Sequence, residues 1–472
     1  MPLAPGVYVR SVTAPSTASP KPDPRTWFIA GPAERGPVDR AAVIYSAAEY
    51  QALYGARVGN ILMSDAVETF FACGGLQAVV ARVAGPAAAT AQKILNDSGA
   101  AAALTVNAAS PGVWGNGLTV QVAAGSAGGT FVLVIALSGI EVERSGDLVD
   151  TAAAAVWAAS SQYVRVTATG VNDPAVAAAA ALTGGTDDNA AITATQYTAA
   201  LALFPRVMGP GQVSAPGVTT QAIQTALCDH AAATNRVALL DLVDSSTPAT
   251  LVAAASAISS GATGWVAQTF GQWAVVRGLT TGTTRTVPYS AVQAGMIAQT
   301  DTRYPWGQQA PAGDYGILPS FVVGVTQTWT DTQRATLNDA GIVCAVMDGQ
   351  LKTYGLVGLG TGLWRQHQKT RVRMACEAAA RNVASHFVFR TIDGQGVTQR
   401  EYADALRGAL LPAWQAGALY GQTADDALTV DAGDGINTPA TKAAGDLNAN
   451  VDVTLSDAGE RVNILITSHQ AA

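Results

Sequence analysis

A short strand tied to a proline-rich run constrains this chain more than any other feature. Residues 5–12, PGVYVRSV, alternate Val7 and Val9 with Tyr8 and Arg10, which is the period of a β-strand. Residues 13–25, TAPSTASPKPDPR, then set Pro15, Pro20, Pro22 and Pro24 among small polar residues, so the strand stops and an extended, polyproline-like linker begins. At about 3.1 Å per residue, a linker of about a dozen residues reaches roughly 35–40 Å. A strand held that far out has no evident partner in its own chain. The tail mirrors the head. Residues 432–450, AGDGINTPATKAAGDLNAN, read as a flexible polar linker. VDVTLSDAGERVNILITSH follows as two alternating strands around a turn at Ser456 to Gly459, with Val451, Val453 and Leu455 on one and Val462, Ile464 and Ile466 on the other.

Between these arms the pattern is mixed. From Trp27, strand TWFIAG, helix SAAEYQALYG, helix ILMSDAVETFFACGG and strand LQAVVARV alternate, each closed by glycine or a cap. Residues 86–186 are rich in Ala, Gly and Thr and carry strand-like LTVNA, GLTVQVAA, TFVLVIAL, IEVER and SQYVRVTA, a separate β-rich module. The alternation resumes at residue 187 and ends in two longer helices near 366–386 and 398–415. The reading is an α/β (mixed α+β) core made of residues 26–85 plus 187–431. Into it is inserted the β-rich module at 86–186, flanked by an N-terminal arm and linker at 1–25 and a C-terminal linker and strand arm at 432–472.

Composition narrows the function. The chain has 472 residues, of which 13% are charged and 49% hydrophobic, against a usual charged share of about 25%. Little charge is available to cover a surface, and apolar runs such as 131–137 and 175–182 fall far short of the roughly 18–20 residues of a membrane span. Much of the surface is therefore expected to be covered by copies of the chain itself. The start, MPLAPGVYVRSV, lacks a basic and apolar secretory pattern, so synthesis in the cytosol is expected. Net charge is −7, and the lack of basic runs argues against nucleic acid as a partner. Cys73, Cys228, Cys344 and Cys376 are far apart and form no C-x-x-C, which favours buried thiols over a metal or redox site.

Catalytic patterns are missing: there is no P-loop, H-E-x-x-H or G-x-S-x-G, and His230, His367, His386 and His469 have no metal-ligand spacing. GLVGLGTG at 355–362 does not satisfy G-x-G-x-x-G, and Asp431, Asp434 and Asn437 miss a calcium loop. Asp187 with Asp188, and Asp425 with Asp426, read as solvated turn residues. No enzyme, cofactor or metal is expected. Two charged stretches stand out as docking candidates. One is the basic helix start at Trp364, Arg365, His367, Lys369, Arg371 and Arg373. The other is the mixed face of Arg400, Glu401, Asp404 and Arg407, opposite Tyr402, Leu406, Leu410 and Leu411.

Several segments together resemble the sheath proteins of contractile phage tails and related contractile injection particles. They are PGVYVRSV, FIAGPAERGPVDRAAVIYSAAEYQALYG, DAVETFFACGGLQAVVARV, SPGVWGNGLTVQV, LTGGTDD, GPGQVSAPGV, NRVALLD, RTVPYSAVQAGMIAQTDTRYPWGQQAPAG, LNDAGIVCAV and GALYG, in family order across nearly the whole chain. The resemblance departs at Gly341-Ile342 and LKTYGLVGLGTG, where the family has an asparagine and a Trp-Gly-Arg-Thr stretch. It implies a non-enzymatic subunit of stacked hexameric rings that surround an inner tube and contract to drive it through a target envelope. A non-contractile shell or tube protein is the alternative. Its partners would be copies of itself, the tube protein, and baseplate and terminator or cap proteins, with no nucleic acid and no membrane insertion. It would be made in the bacterial cytoplasm and become part of a virion tail or injection particle. Terminal strands exchanged between neighbours would use Val7, Tyr8, Val9, Val451, Val453, Leu455, Val462, Ile464 and Ile466. Tube-facing residues would be Arg400, Glu401, Asp404 and Arg407, or Lys369, Arg371 and Arg373.

Overall fold

The apolar runs of the sequence line up as sheets once the chain is folded. The computed structural model describes residues 23–59, 61–278 and 283–460. Of these, 29–68 and 77–204 form one unit, and 23–28, 69–76 and 205–460 form another. Strand β1 (Trp27–Gly31) is buried at every position and has Trp27 and Phe28 in the second unit and Ile29 to Gly31 in the first.

In the first unit, β2 (Ala42–Ile44), helix α1 (Ala47–Tyr54), the start of α2 (Met63–Ala72) and β3 (Ala78–Arg82) follow. β3 lies between β1 and β2 and is antiparallel to β2. The Ser46 hydroxyl accepts the Glu49 N–H and the Glu49 carboxylate accepts the Tyr45 N–H, a reciprocal cap that starts α1. Gly55, at φ 85°, ends it.

The inserted segment then builds β4 (Gln92–Asn96), β5 (Ala102–Ala108), β6 (Leu118–Ala124), β7 (Phe131–Leu137), β8 (Ile140–Arg144), helix α3 (Thr151–Ala159), β9 (Val164–Ala168) and β10 (Ala177–Ala181). Its strands form two antiparallel sheets, in the orders β10-β6-β7-β8 and β4-β5-β9. In β6 the pleat buries Leu118, Val120 and Val122 and turns Thr119 and Gln121 outward. These side chains join Leu104, Val106, Leu133, Ile135, Ala154, Ala158 and Trp114 in one core. At about 1.5–3 kcal/mol for each fully buried large aliphatic side chain, that core stabilises the module with residues of its own. β4, α3 and β10 go beyond the strands read from the sequence. The module's two ends meet where the Gly85 N–H donates to the Asp187 carbonyl and Ala89 pairs with Thr186. Helix α4 (Ala194–Ala202), capped by Thr193, closes this unit.

The second unit adds β11 (Gln212–Ser214), α5 (Gln221–Thr234), β12 (Val237–Asp241), α6 (Pro248–Ser259), β13 (Ala267–Phe270), β14 (Ala274–Arg277), β15 (Thr284–Val287) and α7 (Tyr289–Arg303). Next come β16 (Val322–Val325), α8 (Asp331–Asp339), β17 (Ile342–Asp348), β18 (Gln350–Tyr354), α9 (His367–Ser385) and α10 (Val397–Gln415). The sheet runs β18-β17-β13-β12-β11, with β11, β12, β13 and β17 parallel, as alternating strands and helices require. β14, β15 and β16 form a small antiparallel sheet beside it in sequence. α7 is buried at every position from Tyr289 to Asp301 except Gln299, and Ser290 near its start is answered: it donates from N and Oγ to the Asp241 carboxylate at 2.8 and 2.6 Å. The last elements among the described residues are α11 (Ala424–Ala427), β19 (Leu428–Asp431), α12 (Pro439–Ala444) and β20 (Asn450–Val453).

The stretch 432–450 is not the loose linker its polar composition suggests. Asn437 is fully buried; its Nδ2 donates to the carbonyls of Ala432 and Asn448, and its Oδ1 accepts the Asn448 N–H at 2.7 Å. One side chain therefore closes the loop, with α12 capped by Thr438 inside it.

Replacing residues 86–186 by a short Gly/Ser loop between Gly85 and Asp187 is expected to leave a soluble monomer with its helical circular dichroism intact. The variant loses the Ser110 hydroxyl that accepts the Gly36 N–H and the Pro111 carbonyl that accepts from Arg82. Precipitation or loss of helical signal would show that these contacts hold the rest together.

Candidate functional site

The charged candidates cluster on α9 and α10, and the structure separates them by what each already touches. The first half of α9 is buried from His367 to Cys376 apart from Arg373, whereas no buried residue follows in the rest of the helix. Arg371 lies in the buried half, 1% exposed, with its guanidinium on the Asp301 carboxylate of α7 and Nη1 near the Gln309 carbonyl. It has no surface to offer a partner, which removes it from the tube-facing set. Burial raises the Asp301 pKa, against the lowering by Arg371. Lys369 is likewise buried and reaches the Asp457 carboxylate. Arg373 is half-buried, bound to Glu377 at 3.0 Å and stacked over the Trp265 ring at 5.1 Å.

On α10 the face is more open. Glu401 accepts from Arg390 at 2.6 Å, and Arg407 pairs with Asp425 and donates to the Leu428 carbonyl at 3.2 Å. Arg400 and Asp404 are exposed and make no ion pair among the described residues. The turn between the two helices is fixed on both sides: Arg390 sits over Phe387, Phe387 packs on Tyr402, and Asp393 accepts N–H groups from Gln395, Val397 and Thr398. Between them Phe389 stands wholly exposed at φ 66°, a strained backbone for a bulky residue.

The C-terminal strand residues divide in the same way. Val451 and Val453 lie in β20, which pairs antiparallel with β19 of the same chain, and Leu455 bridges Leu419 and joins the core under α9 and α10. Val7, Tyr8, Val9, Val462, Ile464 and Ile466 lie outside the described residues. Gln366 was not singled out by sequence, yet it grips the backbone past β20: its Nε2 donates to the Ala458 carbonyl at 2.9 Å and its Oε1 accepts the Ala458 N–H at 3.0 Å. No local pattern marks such a contact. Asp301, by contrast, falls inside RTVPYSAVQAGMIAQTDTRYPWGQQAPAG, among the most specific of the resembling segments.

Other reactive groups are packed away. Burial pushes the thiols of Cys228, Cys344 and Cys376 up to about 12, and Cys73 higher still. Beside Arg371, the side chains of Gln268, Gln293, His367 and Gln368 line a cavity with room for one water-sized molecule. Among the described residues no group of three or more His, Cys, Asp or Glu is placed to hold a metal ion, and no helix is long and apolar enough to cross a membrane.

Burial and the Arg371 charge bring His367 down to about 3, and burial with Arg236 brings His230 down to about 4. Both are neutral when folded, and the unfolded chain takes up protons first, below about 6.5. Stability is thus expected to fall as pH drops from 6.5 toward these values, at roughly 1.4 kcal/mol per pH unit for each histidine. Urea midpoints at pH 7, 6 and 5 check this, and His367→Gln is expected to flatten the slope.

No family model matches the chain, and no curated protein does. Solved structures do. The sheath tail protein of Desulfitobacterium hafniense is 16% identical, with a TM-score of 0.59 over 90% of this chain and 93% of that one. The sheath tail protein of Listeria innocua is 13% identical, with a TM-score of 0.62 over 89% of this chain and 91% of that one. The helical sheath of the anti-feeding prophage in its contracted state is 18% identical, with a TM-score of 0.58 over 99% of each chain. The chain has the mixed α/β fold of these sheath proteins.

Proposed function

We propose that this chain is the subunit of a contractile sheath, polymerised as stacked hexameric rings around an inner tube and shortening to drive the tube through a target envelope. The observation that carries the reading is the fold match along almost the full length to a helical sheath solved in its contracted state. A match confined to one domain would have carried less, because a fold module is reused for many functions. The low charged share fits a subunit that contacts copies of itself on several sides. Baseplate and terminator or cap proteins would bound the polymer. It would be made in the bacterial cytoplasm and work within a virion tail or an injection particle.

The two-stranded β19-β20 sheet gives the arms a place to join. With only two strands it has an outer edge on each side where a strand from a neighbour could add by β-augmentation, and the residues around Val7 to Val9 have the pattern to do so. Main-chain pairing of this kind holds while subunit cores turn, provided the linkers absorb the angle. The inserted module at 86–186, with a core of its own, would face outward. The tube would meet the α9-α10 turn, where Arg400, Glu401 and Asp404 lie exposed near Phe389. Exposed ion pairs are worth only about 0–1 kcal/mol each, so such a contact releases when the sheath widens.

Deletion of residues 1–20 is expected to leave a folded monomer that forms no sheath, as judged by electron microscopy of the purified protein with and without its tube. Ordered sheath of normal diameter from that variant would overturn arm exchange, and polymers of one length only under every condition would favour a rigid shell. Arg400→Glu combined with Asp404→Lys is expected to permit sheath polymers but to weaken their co-sedimentation with tube. Undiminished co-sedimentation would place the tube contact elsewhere.

A further inference from the structure

The places where the two arms leave the second unit are joined to each other by a short chain of side-chain contacts. At the N-terminal exit, Arg25 binds the Asp23 carboxylate at 2.9 and 2.7 Å and donates from Nη1 to the Thr302 hydroxyl at 3.2 Å, while the Pro24 carbonyl accepts from Gln212 Nε2 at 2.7 Å. Thr302 is the neighbour of Asp301 on α7, and Asp301 holds Arg371 of α9 in the interior. Within the first turn and a half of α9 and the residue before it, Lys369 binds Asp457 and Gln366 holds Ala458 through both its amide atoms. Asp457 and Ala458 lie within three residues of position 460, where the described residues end, and Gln366 Nε2 also donates to the Glu460 carboxylate at 3.2 Å. Gln368 braces the grip by donating to Gln366 Oε1 at 2.7 Å.

We propose that Arg25, Asp301, Arg371, Lys369 and Gln366 are positioning residues that form a tension tie between the two arms, so that a pull on one arm passes to the other without loading the rest of the fold. The inference rests on the reading that both arms are held by neighbouring subunits. Along the covalent chain the two exits are separated by the whole unit, yet through the tie they are joined by three contacts in series, Arg25 to Thr302, Asp301 to Arg371, and Lys369 to Asp457 with Gln366 to Ala458 beside it, and by two short stretches of helix. At about 1.5 Å rise per residue, the α9 segment from Gln366 to Arg371 adds only about 7–8 Å. The central link is a buried ion pair between rigid helices, which resists separation because parting it would strand both charges away from water. The outer links reach the arms through the Arg25 side chain at one exit, and through the Asp457 carboxylate and the Ala458 backbone at the other, so they engage at the points where force arrives.

The tie makes a direction-dependent claim, and force spectroscopy on the full chain reads it. Handles at the two chain ends load the tie. Handles on Ser260→Cys and Gly394→Cys, at exposed positions on α6's end and the α9-α10 turn, do not. At constant force between the chain ends, Gln366→Ala with Lys369→Ala is expected to shorten the lifetime of the first unfolding step roughly tenfold, about 1.4 kcal/mol off its barrier. The lifetime between positions 260 and 394 is expected to stay unchanged. Asp301→Asn tests the central link in the same way, and because it disturbs a buried pair, the outer double variant decides if it fails to fold. Unchanged lifetime between the ends would overturn the tie, and so would an equal shortening on both axes, which marks general destabilisation. The measurement uses isolated chains, so the tie stands or falls apart from sheath assembly, which the N-terminal deletion tests.

Discussion

The pairing of Arg371 with Asp301 sets more of this structure than its size suggests. Two ions of opposite sign lie out of water, and breaking such a pair by removing one partner typically costs about 3–5 kcal/mol. The pair therefore fixes how α9 lies on α7. α7 has little freedom, being buried over most of its length and anchored through Ser290 to Asp241 at the end of β12. Once α9 is fixed, α10 packs against it over Val372, Cys376, Leu410 and Ala413, and Leu428 and Leu455 of the terminal strands complete the same cluster. The β19-β20 hairpin and the exit of the C-terminal segment thus take their position from one ion pair.

Arginine serves the interior elsewhere too, which helps explain why so little charge is left for the surface. Arg236 lies over the Phe28 ring at 3.6 Å and donates to the carbonyls of Gly209 and Pro205, and burial lowers its pKa to about 9. Arg82, also buried, donates to the carbonyls of Ala33, Gly36 and Pro111 and lies 3.7 Å from Asp187. In both cases a planar cation gathers carbonyls from separate loops, which a lysine point charge does less well. Each of these arginines holds loops within its own unit. What remains on the surface is comparatively apolar, the condition under which copies of a chain cover one another.

Much of the architecture was legible because periodicity survives folding. VALLD, IVCAV and the RTVPYS-to-APAG stretch appear as β12, β17 and the buried helix α7, and the two long helices near the end of the chain fall within a residue or two of their expected bounds. β10 was hidden for a physical reason: five consecutive alanines have low strand propensity, and pairing with β6 makes them a strand. The closed loop at 432–450 was hidden because its stability resides in the amide of Asn437, which composition counts as one more polar residue. The basic run at 369–373 carried a charge pattern that could face outward or inward. Sequence cannot show that Arg371 meets Asp301, some seventy positions away, because an ion pair between elements leaves no local period.

If neighbours hold both arms, the second unit has to satisfy two requirements at once. Its arms would have to comply if the proposed contraction turns subunits relative to one another, and its body would have to resist, since a body that stretched would dissipate the motion instead of passing it along. The run of Pro15, Pro20, Pro22 and Pro24 suits the first requirement, because a proline-rich sequence favours extended backbone and lacks the N–H groups an edge strand needs. The second is served where each arm meets the body: Arg25 at one exit and Gln366 with Lys369 at the other stop compliance at a defined residue. Between those stops the shortest path runs through packed helices and one desolvated ion pair, the stiffest kind of contact the unit contains. Compliance and stiffness are thus divided at particular side chains, which is the property a subunit needs if it is to move without letting go.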